Sequence, residues 1–132
     1  MLKKTISYVD LFGTKRTEEF YFHYSQSELL EMELSTEGGF TTRLQSVINA
    51  NSPKELFAQM KQFILGAYGE KSEDGRQFMK SAEISHGFEC CPAYDKLMQE
   101  LCLGPDATEA ATAFIKGIVP DDMPKADAPA AT

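Results

Sequence analysis

The stretch SPKELFAQMKQFILGA, residues 52–67, carries the clearest helix signal in the chain. It begins with a serine that can cap a helix, a proline suited to the first helical position and a glutamate at the third. Apolar residues then recur at helical spacing along one face: Leu56, Phe57, Met60, Phe63, Ile64 and Ala67. We therefore predict a well-ordered helix whose apolar face is buried.

The segments upstream of this helix predict a β-hairpin. Residues 4–12 and 19–24 are rich in β-branched and aromatic residues, and the turn-forming sequence GTKR lies between them. Alternation along a strand places Phe20, Phe22 and Tyr24 on the same face. An isolated hairpin is marginally stable in water, so we expect this apolar face to pack against helices.

Capping residues, glycines and apolar spacing predict further helices along the chain. One begins near residue 26 and ends at Glu37-Gly38-Gly39, and the others span residues 40–50, 75–86, 92–103 and 106–118. The sequence therefore predicts an α+β fold that is predominantly helical, with an N-terminal hairpin followed by about five or six helices. We assign residues 1–119 to a single domain, and we expect the Pro/Ala-rich residues 120–132 to form a flexible tail.

The stretch AYGEKSEDGRQFMKS, residues 67–81, combines glycines, acids, bases and serines between two apolar runs. It lacks the G-x-x-x-x-G-K-[ST] pattern of a phosphate-binding loop and the alternating oxygen ligands of a calcium loop. Gly69 can end one helix, and Ser72 or Asp74 can begin the next. We therefore predict a connector between two helices.

No motif in the sequence indicates catalysis, a cofactor or a metal site. The cysteines are Cys90, Cys91 and Cys102, and their spacing suits neither zinc chelation nor a disulfide framework. No sequence typical of a hydrolase, a metalloprotease or a dinucleotide-binding fold occurs. Several glutamates of the helix that begins near 26 read as a solvated face: Glu28, Glu31, Glu33 and Glu37.

Charge and hydropathy restrict the classes of partner. The chain has 132 residues, 42% of them hydrophobic and 25% charged, and a formal net charge of −7. This charge repels a phosphate backbone, so we expect no direct nucleic-acid binding. No apolar run approaches the length of a membrane span, so we expect no membrane association.

Three segments, in this order, resemble the tail assembly chaperones of long-tailed siphophages. They are FYFHYSQSELLEMELS (20–35), LFAQMKQFILGAYGEKSEDGRQFMKSAEI (56–84) and ATAFIKGIVPDD (111–122). In that family a strand with paired aromatics precedes an ELxEME-like helix, and a YGEKSEDGxxFxKSxEI block marks the middle. Here the block runs from Tyr68 to Ile84, and the segments with their intervals cover nearly the whole chain.

The resemblance implies a non-enzymatic assembly factor made in the cytoplasm of a bacterial host. Such proteins coat the tape measure protein, keep it soluble, help to recruit the major tail tube protein and are absent from the mature virion. Many are also made in a longer form by a programmed frameshift, and here the extension would follow residues 120–132.

Apolar helical stripes are the candidate binding surface for a tape measure helix or a neighbouring copy. The residues are Phe57, Met60, Phe63, Ile64, Phe114, Ile115 and Ile118. Either stripe also fits a hydrophobic core. The hairpin edge could pair with another copy and give a ring or spiral. A structural tail tube or head–tail connector component and an acidic adaptor protein are the alternative functions.

Overall fold

The computed structural model describes residues 1–50 and 52–119, and within these it confirms the predicted α+β fold. An N-terminal hairpin precedes six helices, and a second, shorter hairpin follows the third helix. The elements are β1 (Leu2–Val9), β2 (Lys15–Phe22), α1 (Gln26–Ser35), α2 (Phe40–Asn49), α3 (Pro53–Ala67), β3 (Tyr68–Lys71), β4 (Phe78–Met79), α4 (Ala82–Glu89), α5 (Pro92–Cys102) and α6 (Ala107–Ile118). The predicted tail, residues 120–132, lies outside the described residues.

The four strands form one antiparallel sheet in the order β1-β2-β3-β4. In the first hairpin Leu2 pairs with Phe22, and Val9 pairs with Lys15. Phe22 and Tyr24 are buried and Phe20 is half-buried, so the face predicted from the alternation is the face that meets the helices.

The stretch 67–81 joins α3 to α4, as predicted, but it forms the second hairpin, so the prediction that a helix begins at Ser72 or Asp74 is wrong. The backbone groups of Ser72 and Gln77 pair across its turn, with the Ser72 amide 2.8 Å from the Gln77 carbonyl. The Asp74 carboxylate accepts hydrogen bonds from the Ser72 hydroxyl at 2.7 Å and the Arg76 amide at 3.0 Å. Side chains that can cap a helix here close a turn instead.

The predicted helix over residues 75–86 therefore begins too early. Residues 78–79 are paired with β3, and α4 starts only at Ala82. Its N-cap is Ser81, whose hydroxyl accepts a hydrogen bond from the Ile84 amide at 3.1 Å. The other predicted helices match α1, α2, α3, α5 and α6 to within one or two residues.

One hydrophobic core joins β1, β2 and all six helices of the described chain. Its largest fully buried apolar side chains are Phe22, Leu29, Met60, Phe63, Ile64, Leu97 and Leu101. The Phe22 ring lies 5.1 Å from Phe114 and 5.6 Å from Phe88, which ties the sheet to α6 and α4. Burying each such side chain stabilises the fold by roughly 1.5–3 kcal/mol, so the core holds the sheet against the helices.

Candidate partner-binding surface

Six of the seven residues predicted to bind a partner lie in this core. They are Met60, Phe63, Ile64, Phe114, Ile115 and Ile118. The rings of Phe63 on α3 and Phe114 on α6 are 6.4 Å apart, so the two predicted stripes belong to one packed interior. The seventh residue, Phe57, is 42% exposed on the outer side of α3. In the described conformation Phe57 is the member of the set that a partner can reach.

The outer face of α1 carries two further exposed leucines that lie one helical turn apart. Leu30 is 44% exposed and Leu34 is 67% exposed, and we call this pair the α1 stripe. Together with Ser27, Glu31 and Ser35 it lines an open groove of about 430 Å³. Large apolar side chains clustered on a surface commonly mark an interaction site.

The rotation of α1 about its axis follows from Glu33, whose side chain is fully buried. Its Oε1 atom accepts hydrogen bonds from the Thr41 amide at 3.0 Å and the Thr41 hydroxyl at 2.6 Å. The carboxylate thus lies at the N-terminus of α2, where the backbone amides and the helix dipole favour negative charge. With Glu33 held inward, Leu30 and Leu34 face outward.

The sequence interpretation of Glu33 as part of a solvated face is therefore wrong. Residues 29 and 33 are one turn apart on the inner face, while residues 30 and 34 are one turn apart on the outer face. The sequence does contain a signal for this arrangement, which is the pair Leu30 and Leu34. An inner face centred on Leu29 cannot also contain Leu34, so the second pair must lie on another face. Gly38 and Gly39 lie in the short turn that brings the N-terminus of α2 close to the Glu33 carboxylate. The periodicity of α1 alone does not reveal this contact.

The first turn of α1 is fixed by the predicted capping box. The Ser25 hydroxyl accepts from the Glu28 amide at 3.1 Å, and the Glu28 carboxylate accepts from the Ser25 amide at 2.9 Å. Burial alone would raise the pKa of Glu28, but hydrogen bonds from Lys80 and Ser25, with the Lys80 charge, outweigh it and lower that pKa. Glu28 is therefore held ionised, and the α1 stripe sits on an anchored helix.

The tip of the first hairpin presents a second apolar feature. Leu11 is 85% exposed and Phe12 is 95% exposed in the turn between β1 and β2. Neither residue appeared among the predicted binding residues, because the aromatic pattern placed residues 4–12 in a strand. The two side chains project into solvent from a turn that is closed by hydrogen bonds.

Thiol and imidazole groups do not converge on a metal site within residues 1–50 and 52–119, where no cluster of three potential ligands occurs. Cys90 is exposed, Cys91 is half-buried and Cys102 is buried. The Cys90 sulfur lies 3.5 Å from Nε2 of His86, one turn earlier on an exposed helix face. Burial raises the pKa of the Cys102 thiol, which disfavours its reactive thiolate form.

None of the helices in the described ranges is long and apolar enough to cross a membrane. The helical apolar faces are instead short stripes that are covered by the sheet or by another helix, apart from the α1 stripe and Phe57.

Comparison with known proteins gives one family. The family described as phage tail assembly chaperone matches residues 1–131, which is nearly the entire chain. Neither the curated proteins nor the solved structures contain a significant match. The match extends over both hairpins and every helix described above, and on this basis the chain belongs to the phage tail assembly chaperone family.

Proposed function

We propose that this protein is a non-enzymatic chaperone that binds the tape measure protein, keeps it soluble and helps to recruit the major tail tube protein during assembly of a long phage tail. It acts in the bacterial host cytoplasm and is absent from the mature virion. The observation that carries the proposal is the family match over residues 1–131. The exposed apolar residues of α1 and α3 support it, because a chaperone needs accessible apolar surface for its client.

The α1 stripe is the proposed contact with the client. Two leucines one turn apart match the spacing at which an amphipathic helix presents its own apolar residues. Phe57, the exposed member of the residues predicted from sequence, provides a second apolar contact on α3. Fully burying one such side chain contributes roughly 1.5–3 kcal/mol, so one copy binds weakly. Avidity along one extended client arises when neighbouring copies on it also contact one another.

Charge supports both solubility and client choice. The net charge of −7 favours solubility of the chain. Glu31 lies beside the α1 stripe and is exposed, so a client helix with Lys or Arg flanking its apolar residues is electrostatically complementary. This complementarity predicts that salt weakens client binding.

The test is co-expression of this chain with the tape measure protein of the same phage, followed by measurement of the soluble fraction of the tape measure protein. The double variant Leu30→Glu/Leu34→Glu is expected to lose most of the solubilisation, because it places charge in the apolar contact. Leu103→Glu is the matched control, since Leu103 is 71% exposed after α5 and outside the α1 stripe. If the double variant and the control solubilise the client equally well, the α1 stripe is not the contact.

Absence from the virion is tested separately by mass spectrometry of purified particles. The chaperone function predicts that tube and tape measure peptides are recovered and that peptides of this chain are not. Recovery of this chain at tube stoichiometry would instead identify a structural component.

A further inference from the structure

The tip of the first hairpin is a rigid turn that holds two large apolar side chains in solvent. The Asp10 carboxylate accepts hydrogen bonds from the amides of Phe12 and Thr14, each at 2.9 Å. Its second oxygen lies 2.6 Å from Nε of Arg16, and Gly13 supplies the positive φ of 83° that the turn needs. A contact built on this preorganised turn loses little conformational entropy when it forms.

A cleft with matching chemistry lies between the sheet and α4. Its apolar part is formed by Phe20, Tyr68, Ile84 and Phe88, and the Tyr68 and Phe88 rings stack with centroids 4.3 Å apart. The cleft has a volume of about 370 Å³, and Gly87 leaves open space above its Cα atom. It therefore offers room and aromatic surface for an inserted side chain.

The charges around these two features are opposite. Lys15 follows the tip and is exposed, whereas Glu70 and Glu83 line the cleft and are exposed. None of the three forms an ion pair with another residue of the described chain. The other charges near the tip pair with one another, since Arg16 lies 2.6 Å from Asp10 and 3.8 Å from Glu18. In the described chain the tip therefore presents the cation of Lys15 outside any ion pair, and the cleft presents the carboxylates of Glu70 and Glu83.

The tip cannot fill the cleft of its own chain. Phe20, which lines the cleft, lies on β2 itself, five residues beyond Lys15 at the tip. At about 3.3 Å per residue, that separation is roughly 17 Å along a strand that does not fold back. The cleft and the tip are therefore available to two different copies.

We propose that the hairpin tip of one copy, through Leu11 and Phe12, inserts into the cleft between the sheet and α4 of the next copy. Lys15 then approaches Glu70 and Glu83 of the acceptor and adds electrostatic attraction. Because donor and acceptor are different surfaces, the contact is head-to-tail and gives a ring or an open helical assembly. This contact does not depend on tape measure binding, since both surfaces belong to this chain.

The first test measures the mass distribution of the purified full-length chain by light scattering after size exclusion, from micromolar to millimolar concentration. The parent chain is expected to form larger species as its concentration rises, and Phe12→Asp is expected to remain a monomer. Phe12 is almost fully exposed, so the substitution leaves the core intact, and circular dichroism confirms folding. Leu103→Asp is the control that alters another exposed apolar residue, 71% exposed, and is expected to assemble like the parent.

The second test uses the directionality of the contact. A Cβ atom at Gly87 would meet nothing within 4 Å, so Gly87→Leu is expected to occupy the cleft and to block the acceptor only. Phe12→Asp blocks the donor only. Each variant alone is expected to be a monomer, and an equal mixture is expected to form a dimer through the remaining intact contact.

Three results would overturn the proposal. The first is a parent chain that stays monomeric at every concentration. The second is a Phe12→Asp variant that assembles as the parent does, and the third is a mixture of the two variants that gives no dimer. A monomeric parent whose Phe12→Asp variant binds the tape measure protein less well would assign the tip to the client instead.

Discussion

The Nζ atom of Lys80 lies 2.6 Å from Oε2 of Glu28, and this ion pair joins the end of the second hairpin to the first turn of α1. Lys80 also donates hydrogen bonds to the carbonyls of His23 at 3.0 Å and Gly66 at 2.9 Å. Its ammonium lies 4.4 Å from the centre of the Tyr24 ring. One cation thus connects the residues that follow β4 and β2 with α1 and α3, and it orients the helix that carries the α1 stripe.

Replacement of Lys80 should destabilise the fold. Lys80→Met removes two hydrogen bonds to backbone carbonyls and leaves Glu28 without its cation, so we expect a loss of about 2 kcal/mol in the free energy of unfolding by urea. Lys61→Met is the control, because the Lys61 side chain is 46% exposed against 18% for Lys80, and its loss should cost less than about 0.5 kcal/mol. Equal losses for the two variants would show that Lys80 is an ordinary surface cation.

Gly39 is required by both backbone conformation and space. Its φ is 92°, and a Cβ atom there would lie 2.2 Å from Oε2 of Glu33. We expect Gly39→Ala to destabilise the protein by about 3 kcal/mol, because it adds a clash with the buried carboxylate to the backbone strain. Gly38→Ala has a similar φ of 79° and open space, so it should cost only about 1–2 kcal/mol. Thermal unfolding of the two variants measures the strain alone in Gly38→Ala and the strain plus the clash in Gly39→Ala. Similar losses of stability in the two variants would contradict the position of the Glu33 side chain beside Gly39.

Phe57 and Phe63 lie on the same helix and should respond very differently to truncation. Phe63 is 1% exposed, so Phe63→Ala should lower the free energy of unfolding by about 3–5 kcal/mol. Phe57→Ala should lower it by only about 1 kcal/mol or less, because the residue is 42% exposed and lies outside the core. Urea unfolding measures both values. A stable Phe63→Ala variant would place that ring at the surface and restore it as a direct client contact.

His23 should make the protein less stable in mild acid. Burial, followed by the positive charges of the N-terminus and Lys80, lowers its pKa, and its buried Nδ1 atom has no hydrogen-bond partner among residues 1–50 and 52–119. The His23 imidazole therefore takes up a proton more readily in the unfolded state than in the folded state. The stability that the neutral imidazole contributes is present above a pH of about 6.5 and is lost as the pH falls below it. We expect His23→Gln to show a smaller drop in unfolding free energy between about pH 7.5 and 5.5. An unchanged drop would exclude His23 as its source.

Local chemistry was sufficient to predict most of the fold. The capping box at Ser25 and the serine–proline start at residue 52 located two helices, because these signals depend on neighbouring residues alone. The same locality caused the error at Ser72 and Asp74, since a side chain that accepts from nearby amides can begin a helix or close a turn. Pairing of β3 with β2, which the sequence pattern does not contain, decided between them.

The binding surface was harder to predict, because periodicity identifies an apolar face and not what covers it. Phe63 and Phe114 lie on two such faces, and each face covers the other. The exposed α1 stripe follows instead from a tertiary contact between Glu33 and Thr41, eight residues apart across two glycines. Phe12 is not among the predicted binding residues, because a residue in a turn belongs to no periodic apolar face.

The most direct test of the chaperone function is the solubility of the tape measure protein expressed with and without this chain. We expect the tape measure protein to be insoluble alone and to be recovered by affinity pull-down as a soluble complex with many copies of this chain. A tape measure protein that remains insoluble while this chain purifies alone would contradict the account.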